Sequence, residues 1–199
     1  MPRDPHDSPA YIAAIQAKGQ RMMSAFILLD EVNDQLVEQA RSHLAQLQLS
    51  PKQPEGKEQL RRFYLELDPL VPVFFKAVKA QHQIEAIELS IVRRCEKWRQ
   101  RSKTFRKKGT LSPIELVDLR VFVSQERKPV FELLAQLKEH MLKLQATTYQ
   151  PFQNLAQTYL DAYDSMDEML HEYTWLQVIG QEDELADLRA HSSNIMWFD

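Results

Sequence analysis

The fold is decided by one short turn sequence, Gly109-Thr110-Leu111-Ser112-Pro113-Ile114-Glu115. A glycine is favoured just past the end of a helix, because it adopts a left-handed conformation without strain. Ser112 and Glu115 have the spacing of a capping box, and Pro113 suits the first position of a new helix. The turn predicts that one long helix ends near Lys107 and that the next begins at Pro113. Two long helices joined by so short a turn are expected to be antiparallel neighbours.

On both sides of this turn, apolar residues recur at spacings of three and four, which is typical of one face of a helix. The pattern predicts four long helices and two short ones, over residues 8–48, 57–67, 69–107, 113–145, 152–180 and 182–190. Pro129 lies inside the third long helix and should kink it or split it at Lys128. We therefore predict an all-α fold, an elongated antiparallel bundle of three to four long helices with short accessory helices.

Length and composition agree with this prediction. A chain of 199 residues is long enough to form one domain with a substantial hydrophobic core. Four glycines are few for a sheet protein, and good helix formers dominate the long segments. We predict a disordered lead over residues 1–7, a single helical-bundle domain over residues 8–190, and a C-terminal tail over residues 191–199.

Several features indicate a soluble cytoplasmic protein. The single cysteine, Cys95, cannot form an intramolecular disulfide. Residues 1–7 lack the apolar core of a signal peptide. No apolar run approaches the roughly 20 residues that a membrane span requires. Cys95 also falls on the apolar seam of its helix, so we expect a buried, inert thiol rather than a nucleophile.

Positive charge is concentrated in residues 93–108, the basic segment, where nine of sixteen residues are cationic and one is acidic. The cations are Arg93, Arg94, Lys97, Arg99, Arg101, Lys103, Arg106, Lys107 and Lys108. One interpretation is a phosphate-binding patch for nucleic acid, with an anionic membrane or an acidic protein as variants. The other is a solvated helix end, whose cations the helix dipole favours. Trp98, Ser102 and Phe105 continue the seam, so we expect both aromatic rings in the core rather than stacked on bases.

The C-terminal part of the chain has the opposite charge and ends in apolar residues. Residues 160–199 contain ten acidic residues and one basic residue, Arg189. This acidic region could neutralise the basic segment, within one molecule or across an oligomer. The tail Ile195-Met196-Trp197-Phe198 either docks on the bundle or binds a partner, and we assign partner binding to Trp197 and Phe198.

Candidates for catalysis are few. Glu168-Met169-Leu170-His171 has the Glu-x-x-His spacing of di-iron bundles, but a second copy of the motif is missing. The sequence contains no Gly-x-Ser-x-Gly motif and no glycine-rich phosphate loop. An aromatic and methionine stripe in the last long helix is expected to be core rather than a ligand cavity; it comprises Tyr159, Tyr163, Met166 and Tyr173. We predict no catalytic residue, no metal ligand, no cofactor and no small-molecule substrate.

The leading hypothesis is a non-enzymatic helical protein-interaction module, an adaptor or assembly subunit, with its basic segment at one end of the rod. Such a module binds a protein partner or self-associates into an oligomer. The first alternative is a nucleic-acid-binding protein that uses residues 93–108. The second alternative is a carboxylate-metal helical-bundle enzyme.

Overall fold

The computed structural model describes residues 9–179, and within that range the chain forms seven helices and no strand. These are α1 (Pro9–Gln46), α2 (Pro54–Leu67), α3 (Val71–Arg101), α4 (Lys103–Lys108), α5 (Pro113–Glu126), α6 (Lys128–Leu144) and α7 (Gln150–Ile179). The predicted all-α helical bundle is confirmed. The predicted lead 1–7, short helix 182–190 and tail 191–199 lie outside the described residues. No helix in the described range is long and apolar enough to cross a membrane.

Helix α2 begins three residues earlier than the sequence pattern predicted, and a glycine explains why. Pro54 occupies the start of the helix, and Gly56 lies in its first turn rather than in the preceding loop. A Cβ atom on residue 56 would lie 1.9 Å from the carbonyl oxygen of Ser50. The absence of a side chain is therefore what allows the chain to fold back this closely.

The described residues form two compact units. The first unit holds residues 9–81 and 135–166, and the second holds residues 82–134 and 167–179. Helices α3, α6 and α7 each contribute residues to both units. The single domain over residues 8–190 stays a prediction.

The core of the first unit combines aromatic packing with one buried amide. Phe74 stacks on Phe152 with ring centroids 4.8 Å apart. Gln81 is fully buried; its Nε2 donates to the carbonyl oxygen of Phe26 at 3.4 Å, and the Tyr159 hydroxyl donates to its Oε1. Because the amide has partners on both α1 and α7, its burial is compensated. Tyr159 of the predicted aromatic stripe is thus a core residue.

The core of the second unit is an aliphatic cluster around Cys95. The cluster consists of Ile91, Cys95, Leu119, Val123 and Val178. Burial raises the pKa of the Cys95 thiol to about 11, and the smaller effect of the nearby Arg94 charge opposes this. The predicted buried cysteine is confirmed, and its thiol is protonated at neutral pH.

Pro129 splits the predicted third long helix into α5 and α6. Proline has no N–H to donate and is tolerated in the first turn of a helix, which is where Pro129 lies in α6. The backbone N–H of Arg127 closes α5 by donating to the carbonyl oxygen of Val123 at 3.1 Å. The break therefore falls at Arg127, one residue before the predicted position.

This break places a charged side chain in the core of the second unit. Arg127 is only 3% exposed, and its Nε donates to Glu88 Oε1 at 2.7 Å. Its Nη2 donates to Asp167 Oδ1 at 3.2 Å. The hydroxyl of Thr174 donates to the second oxygen of Glu88. Arg127 thus joins α3 and α7 at the point where α5 ends.

Replacement of Arg127 by Met should lower the free energy of unfolding by about 3–5 kcal/mol, because Glu88 would remain buried without its counter-charge. Urea denaturation followed by circular dichroism measures this loss. The matched control is Arg41→Met, which removes an exposed pair with Glu38 at 3.4 Å and should change stability by less than about 1 kcal/mol. Glu88→Gln combined with Arg127→Met should cost less than the sum of the single substitutions. Equal effects of Arg127→Met and Arg41→Met would contradict a stabilising ion pair.

Candidate functional site

The basic segment is broken at Ser102, so the prediction of one helix running to about Lys107 was wrong. Helix α3 ends at Arg101, Ser102 is extended with φ −61° and ψ 128°, and α4 follows. The hydroxyl of Ser102 accepts a hydrogen bond from the backbone N–H of Phe105 at 3.1 Å. Ser102 is therefore an N-cap, a role for which serine is strongly preferred over an interior helical position.

Glu115 connects this break to the start of α5. One of its carboxylate oxygens accepts from the Ser102 hydroxyl at 2.6 Å. The other accepts from the backbone N–H and the hydroxyl of Ser112, each at 2.8 Å. The predicted capping box of Ser112 and Glu115 is thereby confirmed, and Gly109 closes α4 with a φ of 70° as expected for the turn. A single carboxylate therefore positions the basic segment against α5.

Two of the nine predicted anion-binding cations have partners within the second unit. Arg94 donates to Glu126 Oε2 at 2.5 Å, and its guanidinium lies 4.7 Å from the ring centroid of Phe122. Arg99 donates to the carbonyl oxygen of Val178 at 3.4 Å and lies 5.2 Å from the ring of Phe105. These contacts engage both guanidinium groups within the unit, although Arg94 remains exposed, so less of their charge is offered to a ligand.

The other seven cations are exposed. None of their side chains forms a hydrogen bond or an ion pair with another residue in the part of the chain that the structure describes. They are Arg93, Lys97, Arg101, Lys103, Arg106, Lys107 and Lys108. The acidic residue of the segment, Glu96, accepts a hydrogen bond from Gln100 at 3.2 Å. The segment can therefore attract an anionic ligand or an acidic protein surface.

The two aromatic residues of the segment differ in their environment. Trp98 is 39% exposed, so its assignment to the core was wrong. Phe105 is half-buried beneath the guanidinium of Arg99. The helical spacing placed both on the seam, but the break at Ser102 ends that seam before it reaches Phe105.

Helix α5 carries aliphatic side chains on two opposite faces, a feature that the sequence interpretation missed. Leu119 and Val123 are buried in the core of the second unit. The opposite side, which we call the outward face, consists of Ile114, Val117 and Val121, which are 75%, 61% and 51% exposed. Their spacing of three and four was visible in the sequence and marks one face of a helix. A helix that is apolar on both faces is expected to be covered on both.

The other candidates from the sequence are the Glu-x-x-His pair on α7 and the apolar residues near the end of the chain. Glu168 is exposed and His171 is half-buried on α7. No group of three or more His, Cys, Asp or Glu side chains in the described residues is arranged to hold a metal ion. Trp197 and Phe198, the predicted partner-binding residues, lie outside the described residues.

Comparison with known proteins does not assign a family. No protein-family model matches the chain, and no curated protein or solved structure is significantly similar to it. The features of the second unit that bear on function are therefore its exposed cations and the outward face of α5.

The junction at Glu115 should make stability depend on pH. Hydrogen bonds from the Ser102 hydroxyl, and next from the Ser112 backbone N–H, lower the pKa of the Glu115 carboxyl. A lowered folded-state pKa means that the ionised carboxylate stabilises the fold fully above the unfolded-state value of roughly 4.3. This stabilisation is lost as the pH falls through the folded-state pKa.

We therefore expect the native chain to be more stable than Glu115→Gln at pH 7, and the difference to shrink as the pH falls below the unfolded-state pKa of roughly 4.3. Urea midpoints measured at several pH values provide the test. Glu132→Gln, an exposed carboxylate on α6, serves as the matched control. A difference between the native chain and Glu115→Gln that persists unchanged in acid would mean that the charge of Glu115 plays no part.

Proposed function

We propose that the chain is a non-enzymatic protein-interaction module whose partner binds the second unit, on the outward face of α5 and the adjoining basic segment. The observation that carries this proposal is the outward face itself. Ile114, Val117 and Val121 form an aliphatic stripe about 10 Å long, at ~1.5 Å per residue. That length matches two turns of a partner helix or a short extended segment. Grooves and faces of this kind are recognised through apolar anchors at helical spacing.

The hydrogen bond between Ser102 and Glu115 supports a composite surface. This bond joins the break before α4 to the first turn of α5. The cations of α4 therefore come directly before the outward face in the sequence, and the two helices are tied together at their starts. Apolar contacts would supply affinity, and the exposed cations would steer an acidic partner and set its orientation. An acidic segment with apolar residues is the complementary chemistry.

A carboxylate on the outward face favours a protein over a membrane surface. Asp118 is exposed and lies four residues after Ile114 and three before Val121. Residues at these spacings are neighbours on a helix. An anionic lipid surface pressed against the stripe would meet this charge, whereas a protein partner can supply a cation or leave Asp118 in water. We therefore favour a protein partner.

Triple replacement of Ile114, Val117 and Val121 by Ser should remove partner binding without unfolding the chain, because substitutions at exposed positions are usually within about 0.5 kcal/mol of neutral. In affinity purification from the native source after nuclease treatment, we expect partner recovery to fall about tenfold or more, equivalent to roughly 1.4 kcal/mol. Leu142→Ser, at an apolar residue on α6 that is about as exposed as Val121, is the control. A nuclease-resistant partner that the triple variant still recovers in full would rule out the α5 surface.

The second candidate function is nucleic-acid binding through the basic segment. The seven exposed cations favour it, because they form no ion pair within the described residues. Exposed Trp98 could also stack on a base. The aliphatic outward face of α5 plays no part in this function, which is why we place it second.

If nucleic acid is the ligand, binding to a labelled DNA duplex or to oligouridine should weaken steeply between about 50 and 200 mM salt. Reversal of Arg101, Arg106 and Lys107 to Glu should abolish it. Arg99 is left intact, because its contact with Val178 is structural. If the native chain binds neither oligonucleotide at low salt, this function is excluded. Reversal of Lys76, Lys79 and Lys143 to Glu makes the same change in net charge outside the basic segment and serves as the control.

A further inference from the structure

We infer that residues 181–199 of this same chain are a ligand of the outward face of α5 and the basic segment, and that an external partner binds by displacing them. This inference rests on the proposed function, since it assigns regulation to the same surface.

Helix α7 ends beside α5 and the end of α3. Val178 belongs to the same aliphatic cluster as Leu119 of α5 and Cys95 of α3. The ring of Trp175 lies 5.5 Å from the guanidinium of Arg120, on α5. The carbonyl oxygen of Val178 accepts from Arg99 in the basic segment. The chain therefore leaves the described structure beside the basic segment and the buried face of α5, so the residues that follow have to pass around α5 to reach the outward face.

The sequence that follows α7 has the chemistry that this surface requires. Four acidic residues come first, namely Glu182, Asp183, Glu184 and Asp187. The apolar run Ile195-Met196-Trp197-Phe198 comes later. Acidic residues complement the exposed cations, and large apolar side chains complement Ile114, Val117 and Val121. A second copy of the described surface would instead bring one basic segment towards another.

The length of chain permits this contact. Fifteen residues lie between Ile179 and Ile195, and at ~3.3 Å per residue they can span up to roughly 50 Å. Helix α5 has 14 residues, so at ~1.5 Å per residue it is only about 21 Å long. A tethered segment also has an effective concentration of about a millimolar when its linker is short. Modest intrinsic affinity is then sufficient for the segment to occupy the face and for a tighter partner to replace it.

The first experiment tests binding with a probe of defined sequence. A labelled synthetic peptide of residues 181–199 is titrated with full-length chain carrying Trp197→Ser and Phe198→Ser, and fluorescence anisotropy is recorded. Saturable binding is expected. Adding Ile114→Ser and Val117→Ser should weaken it about tenfold or more, whereas adding Leu142→Ser should leave it unchanged. The inference would be overturned if the peptide did not bind, or if its affinity were unchanged by the α5 substitutions.

The second experiment asks whether the chain covers its own surface. The native full-length chain should bind the same peptide about tenfold more weakly than the Trp197→Ser, Phe198→Ser variant, because its own segment competes. Equal binding by the two would show that the face is not covered. Light scattering should find no dimer that depends on Trp197 and Phe198, since such a dimer would assign the segment to a second copy and overturn the inference.

A vesicle control distinguishes a membrane from a protein ligand, and a comparison of outcomes distinguishes the inference from the proposed function. Vesicles of phosphatidylcholine and phosphatidylserine should not bind the Trp197→Ser, Phe198→Ser variant through Ile114 and Val117, because such binding would assign the face to a membrane. If partner recovery requires α5 but the peptide does not bind, only the inference is wrong. If neither depends on α5, the proposed function is wrong as well.

Discussion

Pro129 has no backbone N–H to donate, and the second unit is arranged around the break that this constraint imposes. The chain stops α5 at Arg127 and begins α6 one residue later, with the proline in a position that needs no donor. The residue at the break turns inward, where Glu88 and Asp167 neutralise it. A buried arginine is tolerable only with such partners, so the break and the ion pair depend on each other. Helix α5 is consequently a short, separate helix with two faces of its own.

A second polar junction determines how the basic segment is presented. Glu115 accepts hydrogen bonds from Ser102 and Ser112, and it thereby ties the end of α3 to the beginning of α5. Arg94 and Arg99 pack on aromatic rings and bond within the unit. The nine cations of the basic segment thus divide into two arginines that are engaged within the unit and seven exposed cations whose side chains have no such partner within the described residues. Charge counted along a sequence overstates the charge that a ligand meets.

The two polar junctions leave an aliphatic stripe and a cluster of cations on neighbouring elements of one unit. Each feature alone is common on protein surfaces. Under the proposed function their combination is more specific, because an apolar segment would cover the stripe and an acidic segment would complement the cations. Asp118 adds a further condition, because its carboxylate would be repelled by a uniformly anionic surface. A protein segment satisfies all three conditions, and residues 181–199 of the chain contain both required kinds of residue.

The sequence by itself determined the helices. Proline positions, the capping box at Ser112 and apolar spacing are local signals, and they predicted the all-α fold, the buried Cys95 and most boundaries to within three residues. Only the tertiary structure decided that Ser102 breaks α3, that Trp98 is exposed, that Arg94 and Arg99 are engaged, and that the described residues leave one apolar face of α5 exposed. The physical reason is the separation in sequence between the residues that make contact. Helical spacing shows which residues share a face, but the residues that cover that face come from distant parts of the chain; the partner of Ser102 is thirteen residues away and that of Arg99 is seventy-nine.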